Sequence, residues 1–282
     1  MCGITGIFDL DGRRGINRPL LEAMNRTQAH RGPDGEGYHL EPGVGLGHRR
    51  LSIIDIEGGH QPLFNEDGSV AVTYNGEIYN FQELRDELIA KGHVFKTRCD
   101  TEVIVHGWEE WGEACVERFN GMFAFGIWDR HRDCVFLARD RIGIKPLYYA
   151  VTKDDHLIFA TELKALMLHP EFDRGLCPQA IEDYFAFGYV PDPKTIFANA
   201  SKLPPGHTLM VRRGKQVPEP RQYWDLEFRT SGPIGAAALD KELIERLTAS
   251  VDRRLIAEVP LGAFLSGGVD SSAIVALMSQ VN

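Results

Sequence analysis

Cys2 stands directly after Met1 and ahead of Gly3-Ile4-Thr5-Gly6-Ile7-Phe8. A methionine before so small a residue is ordinarily removed, which would leave a cysteine carrying both a thiol and a free α-amino group. These two groups titrate near about 8.5 and about 7.7–8.0. One residue then holds a nucleophile together with its own base, and no partner histidine is required. Taken alone, Cys2 reads equally well as a small residue at a start site. The rest of the chain distinguishes the two readings.

The elements that would position such a nucleophile must come from 282 residues that are 43% hydrophobic, enough for about two domains with a real core. The formal net charge of −9 argues against nucleic acid and anionic membrane as partners. Five scattered cysteines, Cys2, Cys99, Cys115, Cys134 and Cys177, form no C-x-x-C pair, and no H-E-x-x-H is present. Neither a zinc site nor a disulfide framework is expected, and His30, His48 and His60 read as loop or packing residues. No basic and apolar leader opens the chain, and no apolar run reaches membrane-spanning length. A reduced, cytoplasmic setting is the expected one.

Runs rich in β-branched and aromatic residues predict strands over Gly3–Leu10, Val44–His48, Val70–Tyr74, Met122–Trp128, Cys134–Ala138, Leu157–Ala160 and Thr208–Val211. Helices are predicted over Pro19–Ala29, Asn80–Lys91, Thr101–Trp108, Thr161–Leu168 and Pro178–Phe187. In the second of these, Asn80 and Glu83 have capping-box spacing, Phe81, Leu84 and Leu88 share a face, and Gly92 falls at the C-cap. Asp100 reads as the N-cap of the third. Short turns between strands point to antiparallel sheets covered by helices. Arg229–Gly235 reads as a linker. It precedes a helix carrying Leu239, Leu243, Leu247, Val251 and Leu255, a buried-type strand Leu261–Leu265, a glycine turn and a helix Ser271–Ser279. One such strand cannot form a parallel sheet, so this segment is expected to be the opening of a larger domain.

Several motifs follow one another in a fixed order: Met1-Cys2-Gly3-Ile4, His30-Arg31-Gly32-Pro33-Asp34-Gly35, Arg50-Leu51-Ser52-Ile53-Ile54-Asp55 and Tyr74-Asn75-Gly76-Glu77-Ile78-Tyr79-Asn80. Beyond them come Asp100-Thr101-Glu102, the run Asp140–Tyr149 (DRIGIKPLYY) and Leu265-Ser266-Gly267-Gly268-Val269-Asp270-Ser271-Ser272. Together they resemble the glutamine-dependent asparagine synthetase family over nearly the whole chain. The resemblance implies a class II glutamine amidotransferase of the N-terminal-nucleophile type. Its α+β fold would be a four-layer αββα sandwich over residues 2–228. The incomplete start of an α/β ATP-pyrophosphatase domain would follow over 229–282.

Carried onto this sequence, the resemblance makes Cys2 the nucleophile that attacks the glutamine side-chain amide. Asn75 and the Gly76 N–H become the oxyanion hole, although Asn-Gly between alternating residues is by itself a hairpin-turn signal. Arg50 would hold the glutamine α-carboxylate and Asp100 its α-ammonium, with Glu77 assisting and Leu51, Ser52, Ile53 and Ile54 lining the slot. On sequence grounds alone Arg49 is an alternative carboxylate partner. Leu265, Ser266, Gly267, Gly268, Asp270 and Ser271 would form a pyrophosphate loop at a helix N-terminus. They do not match the G-x-x-x-x-G-K-[ST] pattern.

The full-length enzyme implied would use ATP and Mg2+ to adenylate aspartate or another carboxylate, which ammonia then attacks. No cofactor and no metal are expected for the glutaminase half. A homodimer is left open. Two alternatives stand beside this reading: an amidotransferase of the same family with a different acceptor in polysaccharide or secondary metabolism, and a non-catalytic scaffold domain.

Overall fold

The computed structural model describes residues 1–228 and 235–281. Twelve strands are found among them. These are β1 (Gly3–Asp9), β2 (Gly35–Glu41), β3 (Val44–Arg50), β4 (Leu63–Phe64), β5 (Val70–Ile78), β6 (Gly121–Asp129), β7 (Cys134–Arg139), β8 (Tyr148–Val151), β9 (His156–Ala160), β10 (Ala200–Lys202), β11 (His207–Arg212) and β12 (Arg221–Gln222). The helices are α1 (Arg18–Arg26), α2 (Phe81–Ala90), α3 (Glu102–Trp111), α4 (Cys115–Arg118), α5 (Leu163–Leu166), α6 (Pro178–Phe187), α7 (Ala236–Asp252) and α8 (Val269–Val281).

Two six-stranded sheets run in the orders β10-β8-β9-β1-β3-β2 and β12-β11-β7-β6-β5-β4. Neighbouring strands pair antiparallel throughout, as in β1 with β3 (Gly3 opposite Arg49) and β5 with β6 (Val70 opposite Asp129). The inner faces of both sheets meet in one apolar layer, with Ile4, Phe8, Leu46 and Phe159 from the first and Ala124, Trp128, Leu137 and Leu209 from the second. On the outer face of the first sheet, Ile7 and Ile158 pack with Leu21 and Met24 of α1 and Leu166 of α5. Outside the second, the Trp108 ring of α3 lies 4.8 Å from Phe136 of β7. The result is the αββα sandwich. Both faces of β1 are buried, which is why its sequence shows no alternation of apolar and polar residues.

α2 ends as its sequence predicts. Gly92 takes φ +104°, its N–H bonds Ile89 O at 3.0 Å, and the His93 N–H returns to Leu88 O at 3.1 Å. Its other end differs from expectation. Asn80 makes no side-chain cap bond; its amide instead donates to Arg118 O and accepts from Asn120 N.

The hairpin signal at Asn75-Gly76 is also overturned. β5 runs uninterrupted to Ile78, with Asn75 opposite Ala124 and Gly76 opposite Phe123. Neither residue has the positive φ that a two-residue turn requires, because β6 claims both for the ladder. Asp100 is not the cap of α3, which starts at Glu102 behind Thr101; its carboxylate is engaged by β5 instead. The helix predicted over Thr161–Leu168 shortens to Leu163–Leu166. The short or edge strands β2, β4, β8, β10 and β12 carry too little pattern to be legible in the sequence.

The chain divides into two compact units: Met1–Ser52 with Glu57–Asp225, and Ile53–Ile56 with the chain from Leu226 onward. In the second unit α7 and α8 pack on each other. Leu261–Leu265 is not a strand. No strand pairs with it among the described residues, and Leu261 and Phe264 are exposed. The linker expected over 229–235 lies, apart from Gly235, outside the described residues.

Candidate active site

The register of the first sheet brings the first motifs together. Gly3 pairs with Arg49, so Cys2, just before β1, faces the residues that leave β3. The Leu51 N–H points at Cys2 Sγ from 3.4 Å, and the thiol faces Leu51 O at 3.8 Å. The Cys2 backbone is pinned as well, since Arg31 Nε donates to its carbonyl at 3.0 Å while Arg31 Nη1 reaches Glu162 at 3.1 Å. Asp34 fixes the exit from β3, accepting from Ser52 N at 2.8 Å and donating its own N–H to Arg50 O at 2.9 Å.

Arg50 and Asp100 are both buried, each 6% exposed. Asp100 Oδ2 accepts from the Tyr74 hydroxyl at 2.7 Å and from Ile78 N at 2.9 Å. Burial still pushes its carboxyl above the ordinary range, although both donors pull it back. Burial likewise raises the Cys2 thiol above its usual value. The Leu51 N–H, the terminal amine and the Arg50 cation oppose that rise, while the Asp100 anion adds to it. The thiol therefore lies within electrostatic reach of the Arg50 cation, the terminal amine and the Asp100 anion. Met1 carries the terminal amine, and partial burial lowers it.

Asn75 lies on β5, which contacts β1 across the sandwich. It is 1% exposed, and its Nδ2 has no hydrogen-bond partner among the described residues. A buried amide donor left unmade costs about 1–3 kcal/mol, so the position asks for an acceptor that the fold itself does not provide. Gly76 has a steric reason to be glycine. A Cβ there would collide with the Met122 carbonyl oxygen and come within 2.6 Å of the Tyr74 ring.

Other side chains at this wall escape sequence reasoning. Tyr74 reads only as a strand aromatic, yet its hydroxyl holds Asp100. Lys145 is 5% exposed. Burial lowers its ammonium, and the charges of Cys2, Arg31, Asp140 and Glu77 act on it. The only signal for Lys145 was its place in the run Asp140–Tyr149.

Of the predicted slot residues, Cys2, Arg50, Leu51, Ser52, Asn75, Gly76, Glu77 and Asp100 fall in one unit. Ile53 and Ile54 belong to the other, where Ile53 O accepts from Glu258 N at 2.9 Å. So does the loop Leu265–Ser271, which runs into α8. There Ser266 Oγ lies 3.0 Å from Ser271 Oγ, and Ser271 Oγ donates to Gly268 O at 3.2 Å. A Cβ built on Gly267 would meet nothing within 4 Å, which leaves open space beside the backbone N–H groups.

A family model described as glutamine amidotransferase domain matches residues 1–224. The chain belongs to this amidotransferase family. A second model, asparagine synthase, matches residues 242–282. Asparagine synthetase [glutamine-hydrolyzing] 1 of Bacillus subtilis is 39% identical over 284 residues, covering 99% of this chain and 44% of that protein. Asparagine synthetase [glutamine-hydrolyzing] 2 of Arabidopsis thaliana is 37% identical over 277 residues, covering 98% and 42%. The amidotransferase chain thus spans less than half the length of these curated relatives.

Among solved structures, the glutamine phosphoribosylpyrophosphate amidotransferase of B. subtilis matches with a TM-score of 0.57 over 99% of this chain and 64% of that one. At 18% identity this likeness bears on the fold alone, and it agrees with the sandwich described above. All five cysteines are free, and no described helix is long and apolar enough to cross a membrane.

Proposed function

We propose that the first unit is a glutaminase and that it serves an asparagine synthetase-type carbon–nitrogen ligase. Cys2 Sγ attacks the amide carbon of glutamine, the C–N bond breaks, and ammonia leaves a γ-glutamyl thioester that water hydrolyses to glutamate. With Met1 removed, the Cys2 amine takes the thiol proton, passes it to the departing nitrogen so that ammonia leaves, and, neutral again, activates the water. Asn75 Nδ2 and the Gly76 N–H receive the developing oxyanion. Arg50 and Asp100 hold the α-carboxylate and α-ammonium, assisted by Glu77 and the backbone of Leu51 and Ser52. A bidentate guanidinium suits the carboxylate, and a buried carboxylate suits the ammonium.

The observation that carries this reading is the buried Asn75 amide, left without a partner on a strand that contacts the one following Cys2. A scaffold domain gives no reason to maintain such a donor.

In the complete enzyme, ATP with Mg2+ would activate aspartate as an adenylate for ammonia to attack. Ser266, Gly267, Gly268 and Ser271, at the N-terminus of α8, offer donors that fit a pyrophosphate, flanked by Leu265 and Asp270. The free cysteines suit a cytoplasmic setting. The decisive test is ammonia release from glutamine by the processed chain and by Cys2→Ala. The variant should be inactive and as stable as the parent, and turnover comparable with the parent would refute the assignment.

A further inference from the structure

Away from Cys2, four side chains from three separate segments of the first unit converge. Glu66 comes from the turn between β4 and β5, His93 from the chain after α2, and His106 and Glu109 from one face of α3. One ligand atom from each lies within 4.8 Å of all the others. His106 Nδ1 is 3.2 Å from Glu109 Oε2 and 3.4 Å from Glu66 Oε2. His93 Nδ1 is 3.7 Å from Glu66 Oε1 and 3.8 Å from Glu109 Oε2.

The first of these is also a hydrogen bond, whereas the last two are too long for one. All four lie within about half an ångström of the edge of a coordination tetrahedron, which is about 3.3 Å for bonds of about 2.0–2.1 Å. From this geometry we propose that Glu66, His93, His106 and Glu109 form a structural zinc site.

The surroundings have the form of a metal site's outer shell. Each histidine turns its other ring nitrogen toward a carboxylate: His106 Nε2 is 3.6 Å from Glu102, and His93 Nε2 is 3.7 Å from Glu110. Both distances exceed a hydrogen bond, so these carboxylates would close by several tenths of an ångström to fix the tautomer of a ligating imidazole. Glu102 is itself held by the backbone N–H groups of Lys96 and Thr97, each at 2.7 Å. The ligating carboxylates are oriented too. Asn65 Nδ2 donates to Glu109 Oε1 at 2.6 Å, and Val94 N to Glu66 Oε1 at 2.9 Å.

His106 is fully buried, with the Phe95 ring 4.5 Å away, so the site is closed on its inner side. Two imidazoles with two carboxylates select zinc over magnesium or calcium, which prefer all-oxygen shells. An ion here would clip the β4–β5 turn and the α2–α3 connection to α3, the helix that begins two residues after Asp100.

The test uses the untagged 282-residue chain in a Cys2→Ala background, which removes the reactive thiol as a competing ligand. After chelator stripping, calorimetric titration with zinc should give one ion per chain with a dissociation constant at or below about 1 μM. Saturating zinc should raise Tm by roughly 5 °C or more. Cobalt(II) should give the visible spectrum of a four-coordinate nitrogen–oxygen site without a thiolate band. Glu66→Gln and His93→Ala replace side chains nearer the surface than His106. With circular dichroism unchanged, each should weaken binding at least about tenfold and abolish the Tm increase. Absence of stoichiometric binding by the parent would overturn the site. Unchanged affinity in both variants would also do so, since the ion would then lie elsewhere, for example at Asp154, His156 and His169.

Discussion

Asp100 and Leu265 both stand at the edge of a motif that reads as a binding site, yet their surroundings differ. Asp100 is buried, with its carboxylate held by a phenol and a backbone N–H. Leu265 is 61% exposed in a segment that forms no strand. The wall around Cys2 is built from two sheets and held by long-range bonds, such as Arg31 to Cys2 and Asp34 to Ser52. The loop Ser266–Ser271 is held mainly by its own serines. A motif supplies donor types at both places. Only packed elements behind a motif fix its donors in place, and such a shell surrounds Asp100 but not Leu265.

The sharpest challenge to this contrast is Asn75→Ala. If the amide is held ready for an oxyanion, kcat for glutamine hydrolysis should fall about 10²–10³-fold with KM changing little. Near-normal turnover per folded molecule, with a lowered Tm, would mean that Asn75 only supports the sheet. Asp100→Asn should show the opposite pattern. Its contact with the substrate ammonium exists in ground and transition state alike, so KM should rise at least about tenfold while kcat is largely retained. An unchanged KM would remove Asp100 from the clamp.

How much of this was legible in the sequence follows from where each signal resides. α6 falls at Pro178–Phe187 as predicted, because proline at its start and glycine after its end are local cues. The α2 face of Phe81, Leu84 and Leu88 is buried as its spacing requires. Asn75-Gly76 misled because a turn and a strand share the same dipeptide there, and the choice is made by β6, some fifty residues away. Asp100 misled in the same way: the cap preference is local, but Tyr74 and Ile78 arrive through the fold. Leu261–Leu265 has the composition of a strand but, among the described residues, no partner strand with which to become one. His93 and His106 carry no ligand signal in the sequence, because only His106 and Glu109 share a helix while Glu66 and His93 reach them from two other segments.

A smaller effect probes the packing behind the wall. His48 of β3 is fully buried between the sheets, with Nδ1 near Thr73 Oγ1, and burial depresses its pKa to about 3 while Arg50 and Arg49 add to the shift. In the unfolded chain it titrates near about 6.5. The unfolded state therefore binds the extra proton between those values, and the stability held above pH 6.5 is lost as pH falls toward 3. One proton gives a slope of about 1.4 kcal/mol per pH unit. Urea unfolding should show about half that slope between pH 7 and 6 and nearly all of it between pH 6 and 5, and His48→Gln should flatten it. An equal slope in the variant would place the acid sensitivity on other groups.

The smallest expected effect is none at all. Adding ATP with Mg2+ to the 282-residue chain should leave its Tm within error and give no heat beyond dilution. The loop Ser266–Ser271 and the start of α8 present N–H groups and hydroxyls suited to phosphate. However, Phe264 and Leu265 beside it are exposed, and the segment before it pairs with no strand among the described residues. Phosphate contacts made in water by an unsupported loop lose most of their energy to ordering and screening. Micromolar ATP binding would therefore break the contrast with the Cys2 wall, showing that the loop needs no shell beyond these residues. If saturating glutamine shifts the same melting curve while ATP does not, the contrast stands.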